Sequence, residues 1–193
     1  PPAEEAETEL KASAFIEALR VPRTSKGAPK PGAEAGAANK GCAGKRILLI
    51  DHQDSFVHTL ANYLRQTGAD VVTIRSHPGK VGVEPSEIDR LSKEGGAFAL
   101  AVLSPGPGNP TDFQVPATIV ALCERQIPIF GVCLGLQGII EKFGGVLGQL
   151  PTPMHGKPST VKVVGDMEKG IFAELPDEIM CGRYHSLFAH KMP

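Results

Sequence analysis

Two stretches, Ile47–Ile50 and Phe98–Leu103, are apolar without a break. A strand with one wet face alternates apolar and polar residues, whereas a short continuous run marks a strand buried on both faces. Such strands belong to parallel sheets, whose crossover connections lay helices over both sides. The rest of the chain supplies those crossovers. Asp54 reads as the N-cap of a helix with Phe56, Val57, Leu60, Ala61 and Leu64 on one face, stopped near Gly68. Val71–Arg75 reads as a strand, Glu84–Lys93 as a weaker helix, Val115–Gln126 as a further helix and Ile127–Phe130 as a fourth strand. A last helical pattern runs to about Phe143. This alternation predicts an open, mostly parallel sheet with helices on both faces, whose ligands bind beyond the carboxyl ends of the strands. After Gly144 the pattern changes to short β-like pieces at 145–147, 159–164 and 179–187. No internal repeat is visible.

Two features fall at strand ends. Ser104-Pro105-Gly106-Pro107-Gly108-Asn109-Pro110 follows the third strand and cannot be regular structure, because its prolines lack donors and its glycines open positive φ. It reads either as a plain turn or as backbone N–H groups aimed at a ligand. Gly131-x-Cys133-x-Gly135 follows the fourth strand and has the form of a nucleophile elbow. A thiol at that helix N-terminus is favoured as thiolate, while the bland alternative is a small buried hydrophobe.

Composition bounds the function. With a net charge of -1 there is no general pull toward nucleic acid or anionic membrane. No apolar run reaches the ~20 residues of a membrane span and no signal-peptide layout opens the chain, so a cytoplasmic protein is expected. Cys42, Cys123, Cys133 and Cys181 are scattered with no CxxC, which predicts reduced thiols and no metal site. Both ends read as cut: the chain starts at Pro1-Pro2 and stops at Lys191-Met192-Pro193, after a strand-like segment. Residues 4–20 form an amphipathic helix on paper with nothing nearby to pack on, and Pro22–Lys45 is a mildly basic linker rich in Gly, Ala and Pro.

A cysteine nucleophile needs a base, a holder for that base and an oxyanion hole. The N–H of Leu134 and an N–H of the Gly106–Gly108 loop are candidates for the hole. The base is harder to place. His155 and His185 lie downstream, but nothing in the pattern turns either toward the thiol, and His52, His58, His77 and His190 have weaker claims. Asp51, Asp54 and Ser55 read as strand-ending and helix-capping residues.

KRILLIDHQDSFVHTLANYL, LSPGPGNP, PIFGVCLGLQ, MHGK and RYHSL occur in this order between Lys45 and Leu187. Together they resemble the amidotransferase (component II, glutaminase) domain of anthranilate synthase, a class-I glutamine amidotransferase. The segment before them resembles the tail of the chorismate-binding synthase component in fused enzymes. The implied division is a synthase-domain helix at 1–21, a flexible linker at 22–44 and a truncated amidotransferase domain at 45–193.

The resemblance implies that Cys133 attacks the side-chain amide of glutamine to give a glutamyl thioester and ammonia. It implies that Gly106, Pro107, Gly108 and Leu134 line the oxyanion hole and bind glutamine, with Gln137, Ser186 and Leu187 as further glutamine-binding positions. His185 matches a position outside the triad, and Met154, His155 and Gly156 match a segment with no derived role. Implied partners are glutamine and a chorismate-using synthase domain. No cofactor is implied for this segment, and Mg2+ belongs with the synthase domain.

There are departures. Leu136 stands where many relatives have histidine, with little effect expected. The family draws its catalytic histidine and glutamate from an HPE motif, which these 193 residues do not contain. The expectation is that this segment alone turns over no glutamine. Competing readings are the amidotransferase of an aminodeoxychorismate or phenazine-type synthase, a cysteine hydrolase of similar fold, and a non-catalytic partner of a synthase.

Overall fold

A computed structural model describes residues 41–79, 82–164 and 175–193. The helix expected over 4–20 and the linker up to residue 40 lie outside the described residues. The two apolar runs form the middle of a sheet. Strands β1 (Arg46–Asp51), β2 (Asp70–Arg75), β3 (Leu100–Leu103) and β4 (Ile129–Gly131) stand in the order β2-β1-β3-β4, and every pairing is parallel. Helices α1 (Val57–Gln66), α2 (Pro85–Gly95), α3 (Val115–Glu124) and α4 (Leu134–Lys142) alternate with the strands. The winding direction reverses between β1 and β3, which makes the cleft beyond their carboxyl ends the topological switch point.

The alternation of side chains along β1 decides which helix goes where. Leu48 and Ile50 join Ala101 and Leu103 of β3 in a cluster with Ile88 of α2, Ile119 and Leu122 of α3 and Leu134 of α4. Ile47 and Leu49 face the other way and pack with Val102, Val57 and Ala61, beneath α1. Both faces of β1 are therefore covered, and Leu48, Leu49 and Ile50 are fully buried. At about 25 cal/mol per Å² of apolar surface, this burial is the main term holding the unit together.

Element ends differ from the sequence reading in instructive ways. Helix α1 starts at Val57 with Phe56 at the cap position, and Asp54 acts one step earlier. Its Oδ1 accepts from the Phe56 N–H at 2.7 Å and its carbonyl from the Val57 N–H at 3.2 Å, so it shapes the turn into the helix. Phe98 precedes β3 and is buried beneath the Arg46 guanidinium, 4.6 Å from the ring centre. Ile127 closes α3 instead of opening β4, its N–H donating to the Leu122 carbonyl at 3.1 Å.

The expectation of short β-like pieces after Gly144 is corrected. Two long strands stand there, β5 (Val146–Lys162) and β6 (Glu178–Lys191), paired as a separate two-stranded sheet. Three prolines, Pro151, Pro153 and Pro158, fall within β5. A two-stranded ribbon has two outer edges, however, where a residue without an N–H breaks no ladder bond. Pro151 and Pro153 have the same parity, and Gly156 at φ 66 interrupts the alternation before Pro158.

The chain divides into two compact units. Of the described residues, those from 41 to 149 and from 187 to 193 form the unit that contains the parallel sheet, and those from 150 to 186 belong to the other. Among the described residues no helix is long and apolar enough to cross a membrane.

Helix α4 lies closely on β3. A Cβ on Gly135 would collide with the carbonyl oxygen of Leu103 and come within 2.5 Å of its Cβ. Helix propensity alone makes Gly135→Ala stabilising by about 1 kcal/mol, but the collision is with backbone, so urea denaturation is expected to show a loss. Ile88→Ala empties the one fully buried position of α2 and is expected to cost about 2–5 kcal/mol in the same measurement.

Candidate active site

The parallel register brings three chain segments to one level. Ile50 pairs with Leu103, and Leu103 with Gly131. The Ser104 N–H donates to the Ile50 carbonyl at 3.1 Å and the Val132 N–H to the Leu103 carbonyl at 2.9 Å. The segments that leave the sheet next, His52–Gln53, Ser104–Gly108 and Val132–Cys133, therefore share one edge.

Cys133 occupies the N-cap of α4 with φ 52 and ψ -109, a backbone conformation that L-residues rarely adopt. Strain of this kind costs about 1–3 kcal/mol and persists only where the surroundings over-determine it. Here they do. A Cβ on Gly131 would come within 2.5 Å of the Leu136 nitrogen, and Gly135 has no room above Leu103, so both flanking positions admit only glycine. The Gly135 N–H closes on the Val132 carbonyl at 3.1 Å and the Gln137 N–H on the Cys133 carbonyl at 2.9 Å. The thiol is half-buried and takes part in no disulfide. There is no acidic residue in the first turn of α4, so the helix N-terminus acts on a thiolate without a competing charge on that turn.

The loop after β3 runs against this helix start. A Cβ on Gly106 would lie 2.6 Å from Leu134 Cδ2, 2.7 Å from His52 Cβ and 3.0 Å from the His52 carbonyl oxygen. Glycine is the one residue that lets the loop pass between the end of β1 and the first turn of α4. Gly108 has φ 71, and a side chain there would run into the Asp112 carboxylate. That carboxylate accepts from the Asn109 N–H at 2.8 Å and closes the turn. Pro107 and Gly108 are exposed, whereas Gly106 is half-buried.

Gly106, Pro107, Gly108, Cys133, Leu134 and Gln137 thus all stand at the carboxyl ends of β3 and β4 within one compact unit. Leu134 is buried, and its N–H is one of the first-turn donors that a helix cannot satisfy internally. Gln137 is one turn on from Cys133 and buried, while Leu136, between them, is exposed. Ser186 and Leu187 are half-buried neighbours on β6, at the point where the chain passes from one unit to the other. His155 lies exposed on β5. On β6 the Arg183 Nε–H donates to His185 Nε2 at 2.9 Å, which makes that ring nitrogen an acceptor.

His52 is the residue that sequence reasoning underrated. It is fully buried, edge-on to Phe113 with ring centres 5.6 Å apart. Its backbone N–H donates to Ser104 Oγ at 2.9 Å, and its Nδ1 lies 3.1 Å from the Ser104 carbonyl oxygen. A carbonyl only accepts, so Nδ1 carries the proton and Nε2 is a bare lone pair. Nε2 is buried with no hydrogen-bond partner among the described residues. Burial holds the imidazole below its ordinary value of 6.5, against the opposing pull of the Ser104 carbonyl and the Asp51 charge. The signal for this was available: His52 follows a doubly buried strand directly, at the edge where ligands bind.

The family description "Glutamine amidotransferase class-I" matches residues 48–193. The chain is 48% identical over 191 residues to a protein named anthranilate synthase from Azospirillum brasilense, taking in 99% of this chain and 24% of that protein. It is 40% identical over 145 residues to an anthranilate synthase component 2 from Cyanophora paradoxa, taking in 75% of this chain and 70% of that protein. The crystal structure of a glutamine amidotransferase from Thermotoga maritima matches with a TM-score of 0.52 at 18% identity, over 75% of this chain and 61% of that one, a likeness of fold alone. The elbow and the loop after β3 both lie inside the matched residues, and the chain belongs to the class-I glutamine amidotransferase family.

Proposed function

We propose that this chain is the glutaminase part of an anthranilate synthase, releasing ammonia from glutamine for a chorismate-using synthase domain in the route to tryptophan. The observation that carries the reading is the strained thiol of Cys133, held by Gly131 and Gly135 at the N-terminus of α4 beside the Gly106 loop. The names of the relatives from A. brasilense and C. paradoxa supply the reaction. The 191-residue match takes in nearly all of the first 44 residues, whereas the family match starts at residue 48. This supports reading the N-terminal stretch as the junction to an upstream synthase component.

The chemistry follows from the site. The Cys133 thiolate attacks the carboxamide carbon of glutamine, and the carbonyl electrons move onto oxygen. The Leu134 N–H and a loop N–H beside Gly106 meet that oxyanion as it forms. The oxyanion collapses, the C–N bond breaks, and the nitrogen leaves as ammonia on taking up a proton. Water then adds to the thioester carbonyl, the C–S bond breaks, and glutamate and the thiol are released. Gln137 is assigned to holding the substrate, and the resemblance makes Ser186 and Leu187 further glutamine-binding positions. The family's proton carriers, a histidine and a glutamate from an HPE motif, have no counterpart in these residues, so the assay calls for the full-length protein.

In that protein Cys133→Ser is expected to lower glutamine-dependent anthranilate formation by about a thousandfold or more and to leave the ammonia-dependent rate within about twofold, since only the first needs the thiol. A diazoketone analogue of glutamine is expected to label Cys133, and glutamine to protect it. Equal loss of both rates would sink the reading, and so would labelling that glutamine does not slow.

A further inference from the structure

We propose that His52 is a positioning residue of this reaction: through Ser104 it fixes the loop that carries Gly106 against the first turn of α4, and so sets the spacing of the oxyanion donors. The inference rests on the glutaminase reading above. His52 itself touches neither thiol nor substrate in this account.

A chain of contacts links His52 to the loop. Ser104 is fixed from several directions: its N–H donates to the Ile50 carbonyl at 3.1 Å, its Oγ accepts from the His52 N–H at 2.9 Å and donates to the Pro105 carbonyl at 2.7 Å. Its carbonyl accepts from the His52 Nδ1–H at 3.1 Å. Two of these four bonds come from His52. The peptide that follows Ser104 is thereby fixed in orientation, and two residues later Gly106 lies wedged between His52 and Leu134. Catalysis by an oxyanion hole depends on donors placed about 2.7–3.1 Å from an oxygen that exists only in the transition state. A displacement of about 1 Å at such a site costs up to a hundredfold in rate.

A purely structural histidine could be any residue that fills the space. Here the ring is fully buried with one nitrogen that has no partner among the described residues, a condition that costs about 1–3 kcal/mol against an apolar side chain of similar volume. What distinguishes histidine at this position is the Nδ1–H, aimed at the Ser104 carbonyl where the loop begins. The same bond fixes the tautomer, and burial keeps the ring neutral, so no charge from His52 perturbs the thiol beyond Gly106.

The test is steady-state glutaminase kinetics on the full-length protein. His52→Ala is expected to lower kcat by about ten- to a hundredfold with KM for glutamine within about threefold, since the donors act on the transition state and hardly on bound glutamine. His52→Asn keeps a side-chain N–H near the Nδ1 position and is expected to recover kcat to within about fivefold of the parent. Ser104→Ala is expected to be non-additive with His52→Ala, because both break one clamp. Alkylation of Cys133 by iodoacetamide, which forms no oxyanion, should stay within about twofold of the parent in every variant. Where His52→Ala fails to fold, His52→Asn against a volume-matched His52→Leu carries the same comparison. The proposal is overturned by an unchanged kcat in His52→Ala or His52→Leu, by a rise in KM alone, by Asn no better than the apolar variants, or by fully multiplicative effects with Ser104→Ala. A parent protein that releases no ammonia from glutamine, or releases it equally as Cys133→Ser, removes the glutaminase reading and this inference with it.

Discussion

The carbonyl of Leu103 lies where a side chain on Gly135 would begin, and much of the site follows from that contact. Because nothing separates the two backbones, α4 starts directly over the carboxyl end of β3. Its first turn is then forced to fold back sharply from β4, which ends only two residues before Cys133. Cys133 absorbs the change of direction in its own φ and ψ. A looser packing of helix on strand would let the turn relax into a common conformation, and the thiol would then lean along the helix surface. The close approach is thus what converts an ordinary strand-to-helix turn into one that presents a single side chain.

A second constraint comes from the sheet order. Winding outward from β1 in both directions leaves a cleft at the switch point between β1 and β3, and the parallel register ends β1, β3 and β4 at one level. The loop after β3 has nowhere to go except across that cleft. It is filled from below by His52 and bounded on the far side by Leu134, with a glycine at the narrowest point. The N–H groups that helix and loop bring to this edge are therefore placed by the backbone path. Side chains set that path from outside, Ser104 and His52 on one flank and Asp112 on the other.

Much of this was legible in the chain itself. Continuous apolar runs at 47–50 and 98–103 sufficed for a parallel sheet, and the glycines flanking Cys133 sufficed for the elbow, because each pattern has few physical solutions. Element ends were less so. Phe98 and Ile127 are apolar and continue the strand pattern, yet both serve elsewhere, Phe98 under Arg46 and Ile127 at the end of α3. The ribbon of β5 and β6 was read as short pieces, and sequence alone does not say that a strand carrying prolines has an outer edge where they break no ladder bond. His52 was passed over for a related reason. As a base it had only a weak claim, and its value depends on a hydrogen bond to a carbonyl 52 positions away in the chain.

The strain at Cys133 also sets what kind of scaffold this chemistry needs. About 1–3 kcal/mol is stored at one residue, and it must be held by contacts that do not give way when a ligand enters. Leu134 and Ile140 are buried on α4, one at each end of the helix, and full burial of such side chains contributes about 1.5–3 kcal/mol apiece. Val115 and Ile119 of α3 and Leu103 of β3 share the cluster of Leu134. The helix is thereby anchored on apolar packing, which is insensitive to the charge that develops at its N-terminus. Ion pairs would be a poorer anchor. Those on α2 and at the end of α3, Arg125 with Asp89 and Arg90 with Glu87 and Glu94, lie on partly or fully exposed surfaces, where solvent screens them. A site that works by fixed dipoles is best mounted on elements held by dispersion and burial, and that is where the chain puts α4.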